Sequence, residues 1–251
     1  MRNLINKEII EYVKSHDEDN LWRTPLVGFA SLEEIYKQKD ILDHGHVMPC
    51  DVMKDASCVI SYFVPFRKEI NDSNKCEGGA SPLWAEAYEK TNAMFGGLNQ
   101  HIIEVLKKQA CKGIVPEAAF SFDDEKLIAY WSQRHIAYAA GLGTFGINNM
   151  LITERGCSGR FNSVVTNLDV ETDEPVREER CLYRKKGSYG VCVIRCPGKA
   201  LTKEEGFDRK ACYGECLKNA ALYSDIGGSY GRSMGSEVCG KCISLSPCAF
   251  K

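Results

Sequence analysis

Eight of the thirteen cysteines in this sequence lie in its last third, between Cys181 and Cys248. The N-terminus has no apolar stretch of the kind that marks a secretion signal, and no run approaches the roughly 20 apolar residues of a membrane span. We therefore expect a cytoplasmic protein without a membrane partner. In that compartment clustered cysteines are metal ligands more often than disulfides. The other five cysteines are scattered through the first 170 residues: Cys50, Cys58, Cys76, Cys111 and Cys157.

The spacing of the eight clustered cysteines is typical of iron–sulfur proteins. Two-cluster ferredoxins end a cysteine run with cysteine followed by proline, as Cys196-Pro197 does here, and eight thiolates match two 4Fe–4S clusters. Zinc, which also binds four thiolates, and disulfides are the alternatives. We expect the five scattered cysteines to be small buried hydrophobic residues, with Cys157 in a loop. The full pattern is Cys181-x10-Cys192-x3-Cys196-Pro197, Cys212-x3-Cys216 and Cys239-x2-Cys242-x5-Cys248.

The chain divides at a charged, proline-containing segment, 171–180. Residues 1–172 alternate between helical and strand patterns. They include a buried strand at 58–65, a long helix from Pro82 that is interrupted or loosened at Gly96-Gly97, and a helical candidate at 123–140. Residues 173–251 contain few large aliphatic side chains. We expect that segment to need metal sites in order to fold.

A glycine loop, Gly141-Leu142-Gly143-Thr144-Phe145-Gly146, fits the pattern G-x-G-x-x-G. A dinucleotide fingerprint has a strand before the glycines and a helix after them, whereas here the order is reversed. Nicotinamide binding is therefore disfavoured. The glycines then indicate either close approach of the backbone to a large flat ligand or a tight helix-to-strand turn.

Several motifs together resemble one protein family. They are WSQRHIAYAAGLGTFG at 131–146, LITERG at 151–156, SVVTNL at 163–168, RCPGKAL at 195–201, FDRKAC at 207–212 and CGKC at 239–242. This combination is similar to the epoxyqueuosine reductases, relatives of the reductive dehalogenases. The resemblance implies an α+β fold: a nitroreductase-like α/β cobalamin-binding domain at 1–172, followed by a small ferredoxin-like domain at 173–251 with two 4Fe–4S clusters.

The resemblance also implies an anaerobic oxidoreductase. Electrons would come from a low-potential donor of the ferredoxin or flavodoxin type and pass through the clusters to cobalt. The substrate, a small molecule or a modified nucleoside, would lose oxygen or halide. The protein would supply position, insulation and protons to the cofactor chemistry.

Cluster ligands carry over from the resemblance. One cluster is implied at Cys196, Cys212, Cys239 and Cys242. The other is implied at Cys181, Cys192 and Cys248, and Cys216 is assigned as its fourth ligand, because Arg184 stands where the family has a cysteine. The glycine loop, from Gly141 through Leu142, Gly143, Thr144 and Phe145 to Gly146, would lie against the corrin.

Candidate residues for proton transfer and further cofactor contacts come from residue chemistry. An unperturbed histidine has a pKa of about 6.5, which suits proton transfer near neutrality, and a phenol can act as an acid. His135 and Tyr88 are therefore candidate catalytic residues. Arg160, a planar donor, and Arg134 are candidate cofactor contacts. The alternatives are a hydrogen-bonded histidine in a helix pack, a core tyrosine and a solvated arginine.

Two features separate the sequence from the family pattern. Leu127 stands where the family has an acidic proton donor, thirteen residues before Ala140, and the chain stops three residues after Cys248. With a formal charge of −2, a tRNA partner is not supported. A ferredoxin-type electron-transfer protein without corrinoid and a zinc-stapled interaction module are the competing functions.

Overall fold

The computed structural model of the chain describes residues 1–42, 45–203, 206–226 and 235–250. A four-stranded antiparallel sheet organises the first part of the chain, in the order β1-β2-β8-β3, and two small antiparallel pairs, β4-β5 and β6-β7, lie outside it. The described strands are β1 (Leu26–Ser31), β2 (Cys58–Pro65), β3 (Gly113–Ile114), β4 (Phe122–Asp123), β5 (Ile128–Ala129), β6 (Gly143–Phe145), β7 (Leu151–Thr153) and β8 (Gly159–Thr166).

Helices cover both faces of the sheet and make up most of the C-terminal segment. They are α1 (Arg2–Ser15), α2 (Leu32–Tyr36), α3 (Pro49–Val52), α4 (Lys68–Ser73), α5 (Pro82–Lys108), α6 (Gln133–Ala139), α7 (Leu182–Lys186), α8 (Val191–Ile194), α9 (Arg209–Leu222) and α10 (Lys241–Ser244). None of the described helices is long and apolar enough to cross a membrane.

Strand β2 is the predicted buried strand, and all eight of its residues are buried. Side chains alternate between the two faces of a strand, so a strand covered on both faces is apolar throughout. Ile60 and Tyr62 face one hydrophobic cluster with α1 and α5, whereas Val59 and Phe63 face a second cluster with α6. The sheet is therefore the middle layer of three.

Helix α5 runs without interruption from Pro82 to Lys108. The prediction that Gly96-Gly97 interrupts or loosens it is wrong. Gly97 is instead a point of close packing, because an added Cβ would overlap the hydroxyl of Tyr12 on α1. The glycine stays in the helix since the tertiary contact compensates for its lower helix propensity.

The helix predicted at 123–140 is present only from Gln133 to Ala139. The first part of that range is instead the hairpin β4-β5, which Asp123 stabilises by accepting hydrogen bonds from the backbone N–H groups of Glu125 and Lys126 at 3.1 and 2.8 Å. Aspartate commonly accepts backbone hydrogen bonds within turns, and Leu127 has a left-handed φ of 55° here. Local turn chemistry has overridden the helical pattern.

The C-terminal segment packs directly on the first part of the chain. Gly240 lies so close to the indole of Trp84 on α5 that an added Cβ would overlap the ring. Asn74 donates a hydrogen bond to the carbonyl of Cys239 at 2.9 Å. The connecting segment is also held, because Asp173 accepts from the backbone N–H of Phe29 at 2.8 Å. The cysteine-rich segment is therefore positioned against α5 and β1.

Candidate iron–sulfur and substrate site

Six thiols border one cavity, and five of them belong to the C-terminal segment. We refer to these five as the cavity group: Cys196, Cys212, Cys216, Cys239 and Cys242. The sixth is Cys157. Cys212 and Cys216 lie one turn apart on α9, and the hydrogen bond between their thiols lowers the pKa of Cys212 to about 7. Asp208 starts this helix by accepting from the backbone N–H of Ala211 at 3.1 Å. Cys239 and Cys242 flank the first turn of α10.

Four other thiols form a second cluster, which we refer to as the Cys157 group: Cys157, Cys181, Cys192 and Cys248. Burial raises the pKa of Cys157, and the thiols of Cys248, Cys192 and Cys181 raise it further. The pKa of Cys192 is raised by burial and then by Cys181 and Cys248 in the same way.

The grouping of Cys216 with Cys181, Cys192 and Cys248 does not match its position. Cys216 sits one helical turn from Cys212, and the thiol beside Cys181, Cys192 and Cys248 is that of Cys157. The expectation for Cys157 is met in part: it is buried, with 3% of its surface exposed, but other cysteines surround it.

The spread of the thiols suits clusters better than single ions. Within the described ranges no three His, Cys, Asp or Glu side chains converge closely enough to hold one metal ion. Tetrahedral zinc with Zn–S bonds of about 2.3 Å would bring its sulfurs to about 3.8 Å from one another. A 4Fe–4S cluster distributes four cysteine thiolates over four irons, so its ligands stand farther apart. Each group of thiols contains at least the four ligands that such a cluster needs.

The cavity beside these thiols has a volume of about 500 Å³. Its walls come from α5, the hairpin β4-β5, the start of β8 and the loops around the cavity group. Trp131, buried in the wall, donates its indole N–H to the hydroxyl of Ser163 at 3.0 Å. A largely apolar pocket with a few polar groups is the usual form of a small-molecule site, and a volume of this size holds a drug-sized ligand.

Tyr88, Arg134 and Arg160 all line this cavity. The guanidinium of Arg160 lies over the ring of Tyr88 at 4.1 Å and donates to the side-chain carbonyl of Asn92 at 3.0 Å. Arg134 is half-buried, and its desolvation lowers its pKa; its guanidinium donates to the carbonyl of Asn149 at 2.6 Å. The thiols of Cys212 and Cys242 are close enough to Arg134 to act on its pKa, which they raise against the effect of burial. The cavity thus joins cationic donors, a phenol and thiols.

His135 lies away from this cavity. Its Nδ1 is 2.7 Å from the hydroxyl of Ser132, and its ring packs 4.8 Å from that of Phe145. These contacts match the alternative interpretation of His135, in which the histidine is hydrogen-bonded within packed helices. Its partner Ser132 lines the cavity, but His135 itself does not.

The glycine loop is also outside the cavity. Added Cβ atoms would overlap the backbone oxygen of Ile152 at Gly143, and would come within 2.5 Å of that of Glu174 at Gly141. Gly141 has a left-handed φ of 69° at the end of α6. Thr144 and Phe145 border a separate open depression of about 800 Å³, which also contains Arg184. The loop is a tight helix-to-strand turn against protein backbone, as the second of its two interpretations predicts.

Comparison with known proteins supports the motif resemblance. An epoxyqueuosine reductase from Lactococcus garvieae (strain Lg2) is 29% identical over 163 residues, which is 64% of this chain and 43% of that protein. The chain is similar to epoxyqueuosine reductase. No family model matches the sequence.

Solved epoxyqueuosine reductases share the fold. The Bacillus subtilis enzyme, solved with its catalytic aspartate loop swung out of the active site, aligns over 98% of this chain and 66% of its own, with 16% identity and a TM-score of 0.58. An epoxyqueuosine reductase with an epoxyqueuosine-modified tRNA-Tyr stem loop aligns over the same shares, with 18% identity and a TM-score of 0.58. The chain therefore spans less than half of the curated relative and about two thirds of the solved chains.

The tRNA-bound neighbour contradicts the expectation that a tRNA partner is not supported. Net charge was a poor guide because charge is unevenly distributed along this chain. Residues 181–218 contain nine Lys or Arg and four Asp or Glu, although the whole chain has a formal charge of −2. A local excess of positive charge in a segment can attract phosphate groups, whatever the total charge.

Sequence patterns did not identify Cys157, Trp131, Glu89 and Asn92 as site residues. Trp131 belongs to the motif W-S-x-R-H, which contributes to the family resemblance. Cys157 stands between two glycines in G-C-S-G. Glu89 accepts from the hydroxyl of Ser236 at 2.7 Å and lines the cavity. Its position next to Tyr88 on α5 offered no signal of its own.

Proposed function

We propose that this chain is an iron–sulfur reductase of the epoxyqueuosine reductase type, which removes the epoxide oxygen of a modified nucleoside in a tRNA stem loop. The observation that carries the proposal is the cavity in which Tyr88, Arg134 and Arg160 face the cavity group of thiols. Reduction of an epoxide to an alkene consumes two electrons and two protons and releases the oxygen as water. Clusters can supply the electrons one at a time from a low-potential donor.

The protein's own residues would position the substrate and supply protons. The two guanidinium groups form fixed hydrogen-bond donors at the wall, which suit a polar or anionic group of a nucleotide. Tyr88 carries a hydroxyl group on the same wall, within reach of the ligand space. The apolar remainder of the wall excludes water and so strengthens these interactions.

Iron–sulfur clusters at the two thiol groups are part of the proposal. Cys196, Cys212, Cys239 and Cys242 would hold the cluster that borders the cavity, with Cys216 as an additional neighbouring thiol. Bound there, a cluster would supply single electrons to the cavity. Arg134 beside Cys212 and Cys242 would offset part of the negative charge of the thiolates.

The family resemblance adds cobalamin, whose fit to these residues is incomplete. The thiol-lined cavity has the volume of a drug-sized ligand, and cobalamin is far larger. The glycine loop, which the resemblance places against the corrin, borders a different depression. The residues present therefore do not form one site for a whole corrinoid, and dependence on cobalamin is a question for the assay below.

Metal analysis tests the cofactor part of the proposal. Protein purified without oxygen should contain about eight iron and eight acid-labile sulfide per chain. Cys242→Ser, at the cavity, should lower both, whereas Cys58→Ser, on the buried strand β2, should leave them unchanged. About two zinc per chain with no sulfide would contradict the iron–sulfur assignment.

Activity tests the substrate and the corrinoid separately. A tRNA stem loop with epoxyqueuosine, a low-potential donor and the purified protein should give queuosine, followed by mass spectrometry as the loss of one oxygen. Parallel reactions with and without added cobalamin show whether that cofactor is required. If the protein contains its full iron but does not turn over the stem loop with or without cobalamin, electron transfer to a partner protein would describe its function better.

A further inference from the structure

Cys157 stands in a tight turn between β7 and β8, in the first part of the chain. Thr153 and Gly156 exchange two backbone hydrogen bonds of 3.1 Å across the turn, and Gly156 adopts a left-handed φ of 87°. The turn directs residue 157 toward the end of the chain. There the backbone N–H of Cys157 donates to the carbonyl of Cys248 at 3.1 Å.

The next hydrogen bond continues this pairing, from the N–H of Ser158 to the carbonyl of Ala249 at 3.2 Å. Arg23 reinforces it, because its guanidinium stacks 3.8 Å from the ring of Phe250 and donates to the carbonyl of Arg155 at 2.5 Å. The turn and the chain end are therefore fixed to each other on both sides of the thiol pair.

The C-terminal segment alone provides only three thiols at this place among the described residues, those of Cys181, Cys192 and Cys248. A 4Fe–4S cluster is held by four cysteine thiolates. Cys216 is with Cys212 at the cavity, one helical turn away. Cys157 packs with Cys181 and Cys248 in one hydrophobic cluster, and its backbone N–H is hydrogen-bonded to Cys248. Cys192 lies close enough to Cys157 to affect its pKa, and Cys157 also lines the cavity.

We propose that Cys157 is the fourth ligand of the 4Fe–4S cluster held by Cys181, Cys192 and Cys248, so that this cluster joins the two parts of the chain. The inference rests on the iron–sulfur assignment made under the proposed function. When the thiol binds iron its proton is released, and the metal charge compensates for burying the thiolate.

Ordinary burial is the competing explanation for Cys157, and Cys58 shows what that looks like. Cys58 is also buried, with 1% of its surface exposed, and its thiol donates to the carbonyl of Leu168 at 3.5 Å. Burial is the main cause that raises the pKa of both residues. Of the two, however, only Cys157 packs in one hydrophobic cluster with cysteines of the C-terminal segment, Cys181 and Cys248.

The test compares Cys157→Ser, Cys157→Ala, Cys216→Ser and Cys58→Ser in the full chain, all purified without oxygen. Both Cys157 variants should lose about half of the iron and sulfide and one of two reduced-cluster EPR signals. Cys216→Ser and Cys58→Ser should keep the full content. Full iron content with two unchanged signals in a folded Cys157 variant would overturn the proposal.

A second measurement uses the unaltered protein and does not depend on how the variants fold. The holoprotein and the iron-chelated protein are alkylated in partial denaturant, and the labelled cysteines are identified by mass spectrometry. Cys157 should become reactive together with Cys181, Cys192 and Cys248 once iron is removed. If alkylation of Cys157 is the same with and without iron, as expected for Cys58, Cys157 is not a ligand.

These outcomes are distinct from failure of the proposed function. Purified protein that contains no iron would contradict the proposed iron–sulfur reductase as a whole. Protein with about eight iron per chain, in which Cys157→Ser changes nothing, would leave the reductase in place and remove only this ligand.

Discussion

The backbone N–H of Cys157 donates a hydrogen bond to the carbonyl of Cys248 at 3.1 Å, across 91 positions of sequence. This bond fixes the β7-β8 turn to the last residues of the described chain. It brings two buried or half-buried thiols together before any metal is considered. A cluster at this place would therefore depend on a contact between distant segments.

Gly156→Ala should break this contact. Gly156 has a left-handed φ of 87°, and an added Cβ would overlap the carbonyl oxygen of Ala249. Backbone strain alone costs about 1–3 kcal/mol, and the overlap adds to it. We expect a lower midpoint of thermal unfolding and the loss of about half of the bound iron, measured on the same preparation.

Gly187→Ala is the matched control for that substitution. Gly187 also has a left-handed φ, of 65°, but an added Cβ would meet nothing within 4 Å. It should cost about 1 kcal/mol in stability and leave the iron content unchanged. Equal iron loss in both variants would show that strain, and not the contact with Ala249, controls the cluster.

Much of the central fold follows from the sequence, because its signals are local. The apolar run at Cys58–Pro65 is β2, and Ser31 accepts from the N–H of Glu34 at 3.1 Å to start α2, as their spacing predicts. The local sequence pattern does not predict the roles of Gly97 and Asp123, because these depend on tertiary contact with Tyr12 and on turn geometry. Neither is visible in hydrophobic periodicity.

The site was predictable where motif and chemistry coincide. Tyr88 and Arg160 do line the cavity, and the cysteines around Cys196 do converge. The partner of Cys181, Cys192 and Cys248 was not predictable from spacing. Cys157 precedes Cys181 by 24 positions and reaches the group only through the turn at Gly156. Spacing rules describe ligands within one segment and miss ligands that folding brings from another.

Arg134→Gln should shift the midpoint potential of the cavity cluster to a more negative value. Reduction adds negative charge, which the half-buried guanidinium near Cys212 and Cys242 stabilises. A tenfold weaker preference for the reduced form corresponds to about 59 mV for one electron. EPR-monitored redox titration measures the shift. Arg2→Gln, which removes the ion pair with Asp173 at 2.6 Å, should leave the potential unchanged; an equal shift there would contradict a local effect.

Tyr88→Phe should lower turnover by about a hundredfold, within the range for removal of a general acid. The substitution keeps the ring against the guanidinium of Arg160, so substrate affinity and stability should change little. Single-turnover rates and KM separate these quantities. Tyr62→Phe is the control, because the Tyr62 hydroxyl donates to Asn99 at 2.7 Å in the core, and its removal should reduce stability only. Wild-type turnover in Tyr88→Phe would exclude the phenol as the proton donor.

His135→Asn should retain turnover. The imidazole is hydrogen-bonded to Ser132 and packed against Phe145, outside the cavity. We expect a loss of about 0.5–1.5 kcal/mol in stability, as for one hydrogen bond. Chemical denaturation and the stem-loop assay measure the two effects. A large drop in turnover with unchanged stability would return His135 to the candidate catalytic residues.

Charge reversal in the lysine- and arginine-rich segment 181–218 should weaken binding of the tRNA stem loop. Lys199 and Lys210 are exposed, and the segments around them, at Pro197, Ala200 and Cys212, line the cavity. Lys199→Glu with Lys210→Glu should lower affinity and reduce the dependence of log K on log salt by about 0.7–0.9 for each phosphate that these lysines neutralise. Lys7→Glu with Lys14→Glu, on α1 and absent from the cavity lining, is the charge-matched control. Equal weakening by this control would indicate that total charge, and not the segment around the cavity, determines binding.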